Sequence, residues 1–396
     1  MPPQCLRLGR EKGTFRAMKA ETAHECPLRP LDPLPRWTSA TPGVGGRARV
    51  EVEDFVVDET PLYAPCGEGD HLYLHVEKRD LSGPMLRRQL ATLLGVQQGD
   101  IGMAGLKDRR AVTRQWISVP VRGSGDPLAI EDSRIRVLAA IRHTNKLRTG
   151  HLAGNLFVVR LRDLDGDPQT LPARVSGKLG VLRDVGMPNF YGQQRMGHGG
   201  STLAAGWALG HGHDGHVRIR TPDDVVHQIQ LRDRTLRRLA ASALQSEIFN
   251  RIVATRMAQG TLDRVLLGDV CRKTDTGGSF VSDDPDRDGE RLARGEVELT
   301  GPMWGPKMMM AGGAVAELER EILDAAGLDD AVFRRLGSLA MGTRRAMVCK
   351  PENLEATLDE EGLVLRFGLP PGAFATVLMH EFSGPTEGHG VVTPCA

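Results

Sequence analysis

Six segments of this chain alternate apolar and polar residues at the two-residue period of a half-buried strand, and their placement limits the possible folds more than any other feature. Five precede residue 162: Val50 to Val57, Leu72 to Val76, Gln115 to Val121, Ile135 to Ile141 and Asn155 to Leu161. The sixth, Leu363 to Phe367, follows about two hundred residues later. The pattern predicts one sheet built from both ends of the chain, with the middle forming a second unit inserted into the first. Between the second and third strands, Met85, Leu86, Leu90, Leu93 and Leu94 recur at helical spacing. Ser82 stands as N-cap, Pro84 in the first turn and Gly95 just past the end, so a helix should lie on the sheet.

The character changes near Gly186, where Gly and Pro signals precede an amphipathic stripe of Leu236, Leu239, Ala240, Ala243, Leu244, Ile248 and Ile252. We therefore expect an α+β protein. Residues 41–185 and 343–396 would form one domain, and 186–342 a mainly helical insert. Residues 1–40 carry six prolines, many charges and no apolar run, which predicts a mostly disordered extension in which Met18 offers an alternative start. The acidic run from Ser282 to Glu290 reads as an exposed loop.

No stretch of eighteen consecutive apolar residues occurs, so a membrane-spanning helix is not expected. Six cysteines (Cys5, Cys26, Cys66, Cys271, Cys349, Cys395) lie scattered with no Cys-x-x-Cys pair, which argues against a zinc knuckle or disulfide framework and suits a reducing cytoplasm. The net charge of +1 hides an uneven distribution. Between Gly102 and Arg162 there are twelve Lys plus Arg against four Asp plus Glu, the footprint of a phosphate-tracking surface or of a solvated face whose counterions lie elsewhere.

Chemistry is concentrated in Gly105-Leu106-Lys107-Asp108-Arg109-Arg110 and the following Ala111 to Trp116. Lys107, Arg109, Arg110 and Arg114 would each favour ionised Asp108, suiting it as nucleophile or base, although charged Gly-containing turns are also common as solvated connections. Asn155 and Phe157 share one face of a strand beside Gly154, and an amide next to a ring suits a planar base as well as it suits a core position. Arg142, His143, Lys146 and Arg148 form a basic cluster fit for phosphate contact. Phe55 is either a second aromatic wall or core. Arg49 is a candidate partner for Asp108, but six extended residues span about 20 Å, so Arg49 and Phe55 can serve one site only if the chain bends between them.

Phe190 to Gly197, with Arg195, would reach RNA or hold the domain junction. His211, His213 and His216 lie in Gly-rich sequence without a second ligand cluster, which favours a loop over a metal site. Met303, Met308, Met309 and Met310 suit packing. Neither a phosphate-binding Gly-Lys-Ser/Thr loop nor a dinucleotide fingerprint is present, so no cofactor is expected.

Together these residues resemble the TruD family of tRNA pseudouridine synthases. The similar blocks are Glu53 to Val57; Gly105 to Asp108 with Ala111 to Thr113, Gln115 and Trp116; Lys146 to Arg148 with Gly150, Leu152, Gly154, Asn155 and Phe157; Pro188 to Gly192 with Gln194, Arg195 and Gly197; Arg344 to Met347; and Leu369, Pro370, Gly372 and Phe374 to Thr376. They run in family order from about residue 45 to 382. The resemblance implies a pseudouridine-synthase-like mixed sheet with flanking helices, interrupted by the family's TRUD insertion domain. It implies isomerisation of uridine 13 in tRNA, with Asp108 as the catalytic aspartate, Asn155 positioning it and Phe157 stacking on the target uracil. Phe55, Arg49, Lys107, Lys146, Arg148 and Arg195 would contact substrate. Arg49 stands where the family's basic partner of the aspartate, often Lys, is expected, and His380 where a relative carries Arg. The expected partner is tRNA, without DNA or membrane; nothing in the sequence sets the oligomeric state, and a monomer suffices. The competing readings are a non-catalytic RNA-binding or RNA-folding protein on the same scaffold and a metal-dependent RNA enzyme using the histidine loop.

Overall fold

The computed structural model describes residues 23–122, 126–130 and 132–385. Its largest element is a nine-stranded mixed sheet. Along its main path the order is Glu352–Asp359, Gly362–Leu369, Leu152–Leu164, Phe55–Pro61, Val112–Pro120, His71–Arg79 and Ile135–His143. Gly45–Ala48 pairs beside Leu152–Leu164, and Gly102–Met103 beside Val112–Pro120. All neighbours are antiparallel except Phe55–Pro61 with Val112–Pro120. The late segment therefore rejoins the early ones, with Phe367 opposite Phe157 and Leu369 opposite Asn155.

Alternation explains which side chains go inward. Phe55, Val57 and Glu59 share one face with Asn155, Phe157, Val159 and Leu161 and with Leu363, Leu365, Phe367 and Leu369. Apart from half-buried Asn155 all of these are buried, the apolar members each contributing about 1.5–3 kcal/mol. The helix expected after Ser82 spans Gly83–Leu94. Ser82 Oγ accepts from Met85 N at 3.4 Å, and Gly95 closes the helix with φ 69°, a backbone conformation that glycine adopts without a Cβ clash. Its Leu86, Leu90 and Leu94 pack on Leu74, Val76, Ile117 and Val119 of the sheet.

The amphipathic stripe forms Arg234–Ala258, capped by Asp233 and buried along Ala240, Ala243, Leu244, Ile248 and Ile252; Leu239 falls outside the seam and is exposed. Residues 186–342 are less helical than expected. They also carry a sheet of His216–Arg220 and Val226–Gln230, and another in which Val270–Lys273, Ser279–Val281 and Val297–Met303 join Thr343–Ala346. These strands are three to seven residues long, too short for alternation to stand out. The acidic run is also corrected. Asp284 caps a helix at Pro285–Ala293, with its carboxylate accepting from Arg287 N at 3.1 Å, and Asp288 is buried against Ser282 Oγ at 2.8 Å and Arg291 at 3.0 Å. An Asp-Pro step supplies both a cap and a preset first turn.

The expected N-terminal extension needs a further correction. Residues 1–22 lie outside the described residues, but 23–40 pack closely. His24–Glu25 pairs with His216–Arg220, and Cys26, Leu28 and Leu34 are buried. Prolines at 27, 30, 33 and 35 restrict this segment before it docks, so ordering it costs less entropy. It is anchored by buried Glu381, which accepts from Trp37 N and Thr38 N, both at 2.9 Å, and by Lys178. The Lys178 ammonium donates to Thr38 Oγ1 at 3.0 Å, Thr41 O at 3.0 Å and Glu381 O at 2.9 Å.

Burial pushes Lys178 down to about 8 from its ordinary 10.5. The unfolded chain therefore binds the extra proton between those values, and this group adds stability as pH climbs through that window. We expect the melting temperature of the wild type to gain on that of Lys178→Met as pH rises from about 8 to about 10. Parallel melting curves against pH would remove this assignment.

Candidate active site

A cleft of about 320 Å³ opens where the sheet, the Gly105–Asp108 loop and the 371–376 segment meet. Its wall includes Arg49, Phe55, Val57, Lys107, Asp108, Asn155, Phe157, Gln194 and Phe374. Six of the nine site residues expected from the sequence thus converge: Arg49, Phe55, Lys107, Asp108, Asn155 and Phe157.

Arg49 and Phe55 meet because the chain bends between them. Arg49 itself adopts φ 59°, and residues Val52–Asp54 form a 3-10 turn where the alternation predicts strand; the strand begins only at Phe55. Buried Asp54 holds the turn, accepting from Glu51 N at 2.7 Å and from Arg162 Nε at 2.8 Å. The Arg49 guanidinium then lies 4.1 Å from the Phe55 ring centroid and donates to Asp108 Oδ2 at 2.8 Å.

The four cations near Asp108 in sequence bind elsewhere, contrary to expectation. Lys107 pairs with Glu59, Arg109 with Asp80 at 3.6 Å, Arg114 with Glu77 at 2.8 Å and Asp58 at 3.1 Å, and Arg110 donates to Val50 O at 2.7 Å. Each finds a carboxylate or carbonyl on a neighbouring strand or turn, and Asp108 is left to Arg49. Lys107 and Asp108 consequently face different partners. Lys78, fully buried, donates to the Asp108 carbonyl at 2.6 Å and fixes the loop's backbone. Burial pushes Lys78 down to about 8, opposed by the Asp108 charge.

Among the described residues Asp108 is the one carboxylate in the cleft wall, and its side chain is 35% exposed, against 1% for Glu59 behind it. Phe157 is backed by Phe367, stacked at 5.2 Å, and by the edge of Phe55 at 6.0 Å, so its position is set by the core. Asn155 sits between Glu59 and Leu369 in register, and its Oδ1 is buried without a hydrogen-bond partner among the described residues. No hydrogen bond joins Asn155 to Asp108 among them; the contacts that orient Asp108 come from Arg49 and Lys78. At Gly154 a Cβ would meet Leu369 O at 2.8 Å, so glycine lets the segment after Leu369 approach Asn155.

Three expected residues lie outside this wall. Lys146 donates to Gly99 O, Arg148 is exposed on its turn, and Arg195 donates to Ser242 Oγ beside Tyr191. The basic stretch is also partly neutralised, since Arg160 pairs with Asp359 at 2.5 Å and Arg162 with Asp54 at 2.8 Å. His211 Nδ1 donates to Trp207 O at 2.8 Å, and His213 lies against His24 at 3.8 Å between ring centroids. Sequence reasoning gave no site role to Glu59 or Lys78, and placed Phe374 in a family-like block without one. Glu59 had a signal: a carboxylate in phase with Phe55 and Val57 on an inward face. Lys78 follows Val76 in the same way.

Known proteins resemble this chain over most of its length. The family model described as tRNA pseudouridine synthase D (TruD) matches residues 34–212 and 216–382. A tRNA pseudouridine synthase D from Anaeromyxobacter dehalogenans is 45% identical over 350 residues, covering 88% of this chain and 96% of that protein. One from Thermus thermophilus is 40% identical over 349 residues, covering 88% and 91%. The crystal structure of a putative tRNA pseudouridine synthase D from Methanosarcina mazei shares the fold, with a TM-score of 0.70 at 24% identity, covering 89% of this chain and 97% of that one. The chain belongs to the tRNA pseudouridine synthase D (TruD) family.

Proposed function

We propose that this protein isomerises uridine to pseudouridine in tRNA, at uridine 13, with Asp108 as the reacting carboxylate and no cofactor. The observation that carries the reading is the cleft itself: one accessible carboxylate beside an aromatic ring and an amide whose acceptor is unused. The isomerisation breaks the bond from C1′ to N1 and joins C1′ to C5, with a proton leaving C5 and one gained at N1. It is redox-neutral and needs a carboxylate at the sugar, a platform for the freed base and a proton acceptor.

Asp108 supplies the first. It either attacks C1′ to displace the uracil anion or removes the C2′ proton to give a glycal, and an isotope effect at C2′ separates the two routes. The Phe157 ring supplies the platform, and Asn155 Oδ1 accepts from a ring N–H, recovering the roughly 1–3 kcal/mol that an unpaired buried acceptor costs. Arg49 aims the carboxylate, and Lys107 with Glu59 sets the loop. The target nucleotide leaves its stack to enter, at a cost of a few kcal/mol.

In this account residues 41–185 and 343–396 are the catalytic unit and 186–342 the TRUD insertion. Lys146, Arg148 and Arg195 contact the tRNA backbone outside the cleft. The protein acts where tRNA is processed, in the cytoplasm.

Tritium at uracil C5 of tRNA transcripts tests the reading, because forming the new bond expels that hydrogen. Wild type should release label to water with EDTA present, and Asp108→Asn should lose at least about 10²–10⁴-fold in rate while tRNA binding stays nearly unchanged. No release by wild type, or equal release by both, would overturn the proposal. For Arg49→Gln, removing a charge-assisted hydrogen bond worth about 1.5–3 kcal/mol should lower kcat about 10- to 100-fold with a smaller change in KM. A change confined to KM would instead make Arg49 a binding residue only.

A further inference from the structure

A second cavity, about 720 Å³, adjoins the Asp108 cleft and shares Pro371 with it. Its charged lining is mostly self-compensated. Arg272 pairs with Glu298, and buried Arg344 pairs with Glu319 at 2.6 Å, both oxygens of that carboxylate being engaged. Arg345 and Lys350 remain, and neither has a carboxylate partner among the described residues.

Arg345 is the unusual one. Its guanidinium lies 4.1 Å from the Tyr191 ring centroid and 5.5 Å from that of Phe249, and its hydrogen bonds go to neutral acceptors: Asn189 O, Asn189 Oδ1 at 2.6 Å and Gly372 O at 2.9 Å. Arg195 stands 5.7 Å from the same Tyr191 ring, bonded to the hydroxyl of Ser242, a lining residue, and its Nε is buried without a partner among the described residues. Burial lowers the pKa of both arginines, and the neighbours acting on them include no carboxylate. Two half-buried guanidinium groups around one ring, without a carboxylate partner, are positioned to receive an anion. Lys350 adds an exposed ammonium at the rim.

The link to the cleft is short, through one hydrogen bond and one ring contact. Arg345 holds Gly372 O, and Gly372 and Phe374 line the Asp108 cleft, with Phe374 edge-on to Tyr191 at 5.6 Å. A strand of RNA whose target nucleotide enters the cleft has this cavity beside it, across Pro371.

We propose that Arg345, Arg195 and Lys350 form a subsite for a phosphodiester of the nucleotide next to the target. This rests on the isomerase reading for the substrate, but it is tested by binding alone. Planar guanidinium groups match phosphate oxygens, and the stacking on Tyr191 keeps Arg345 preorganised.

The experiment is fluorescence anisotropy of a labelled tRNA transcript with the full chain, between about 50 and 200 mM salt. Each lost phosphate contact should lower the slope of log affinity against log salt by about 1. We expect that fall for Lys350→Gln and for Arg345→Gln, with affinity reduced about 5- to 30-fold, and a retained slope for Arg345→Lys. Lys350 is exposed, so its variant keeps the test decisive if Arg345→Gln does not fold. Methylphosphonate at the phosphate next to the target should weaken wild type but leave Lys350→Gln little further affected.

Wild-type affinity and slope in Lys350→Gln, with Arg345→Gln either unaltered or unfolded, would overturn the subsite and leave Arg345 as a structural clamp. Stabilisation of wild type but not Lys350→Gln by inorganic phosphate, with tRNA slopes all equal, would assign the site to a free anion and also overturn it. Since turnover is not read, tRNA binding with the predicted slopes but no tritium release would defeat the isomerase reading and leave the subsite standing.

Discussion

Pairing between Gly362–Leu369 and Leu152–Leu164 is the constraint on which the rest of the molecule depends. It closes a loop of nearly two hundred residues, so the entropy of joining the ends must be met by burial across the new seam. That burial comes from Phe157 against Phe367 and from Val159 and Leu161 against Leu365 and Leu363. The register then decides the chemistry. A slip of one residue would turn Asn155 and Phe157 to the opposite face and carry the segment after Leu369 away from them. The cleft is thus a consequence of register: one wall comes from strand side chains, and the other from the segment that follows the last of these strands.

Within that frame the electrostatics are a matter of which cation each carboxylate receives. Asp108, Glu59, Asp58 and Asp54 lie close together in the fold, and Arg49, Lys107, Arg114 and Arg162 are distributed among them one to one. Glu59 and Asp54 are buried and occupied, which suits them to holding the loop and the turn. Of these four carboxylates Asp108 alone lines the cleft, with Arg49 bonded to its Oδ2. Lys78 acts from beneath, on the backbone of Asp108.

The sheet was legible because its strands are amphipathic and long enough for the two-residue period to repeat, and the helix after Ser82 because its cap, first-turn proline and closing glycine agree with its apolar spacing. Asp108, Asn155 and Phe157 were legible as a constellation through their residue types and through resemblance to the family. Their partners were harder to see. Arg114 looks like a neighbour of Asp108 in sequence but points to the other face of its strand, toward Asp58 and Glu77. Arg49 is fifty-nine residues away and reaches Asp108 only through a left-handed residue and a 3-10 turn that alternation alone reads as strand. Residues 23–40 were hidden because a proline-rich segment can dock without any periodicity, burying Cys26, Leu28 and Leu34 singly.

The cleft and the neighbouring cavity meet at Pro371, and Arg345 on the cavity side donates to Gly372 O on the cleft side. The central claim is that a uridine taken out of its stack lies in the Asp108 cleft, and the most direct measurement is a structure of the Asp108→Asn protein bound to a tRNA substrate. The account predicts an extruded uracil against Phe157, its edge bonded to Asn155, with C1′ facing residue 108. A uridine left in its helix, or a base held on another surface such as the His75 and Trp116 stack of the opposite sheet face, would contradict it.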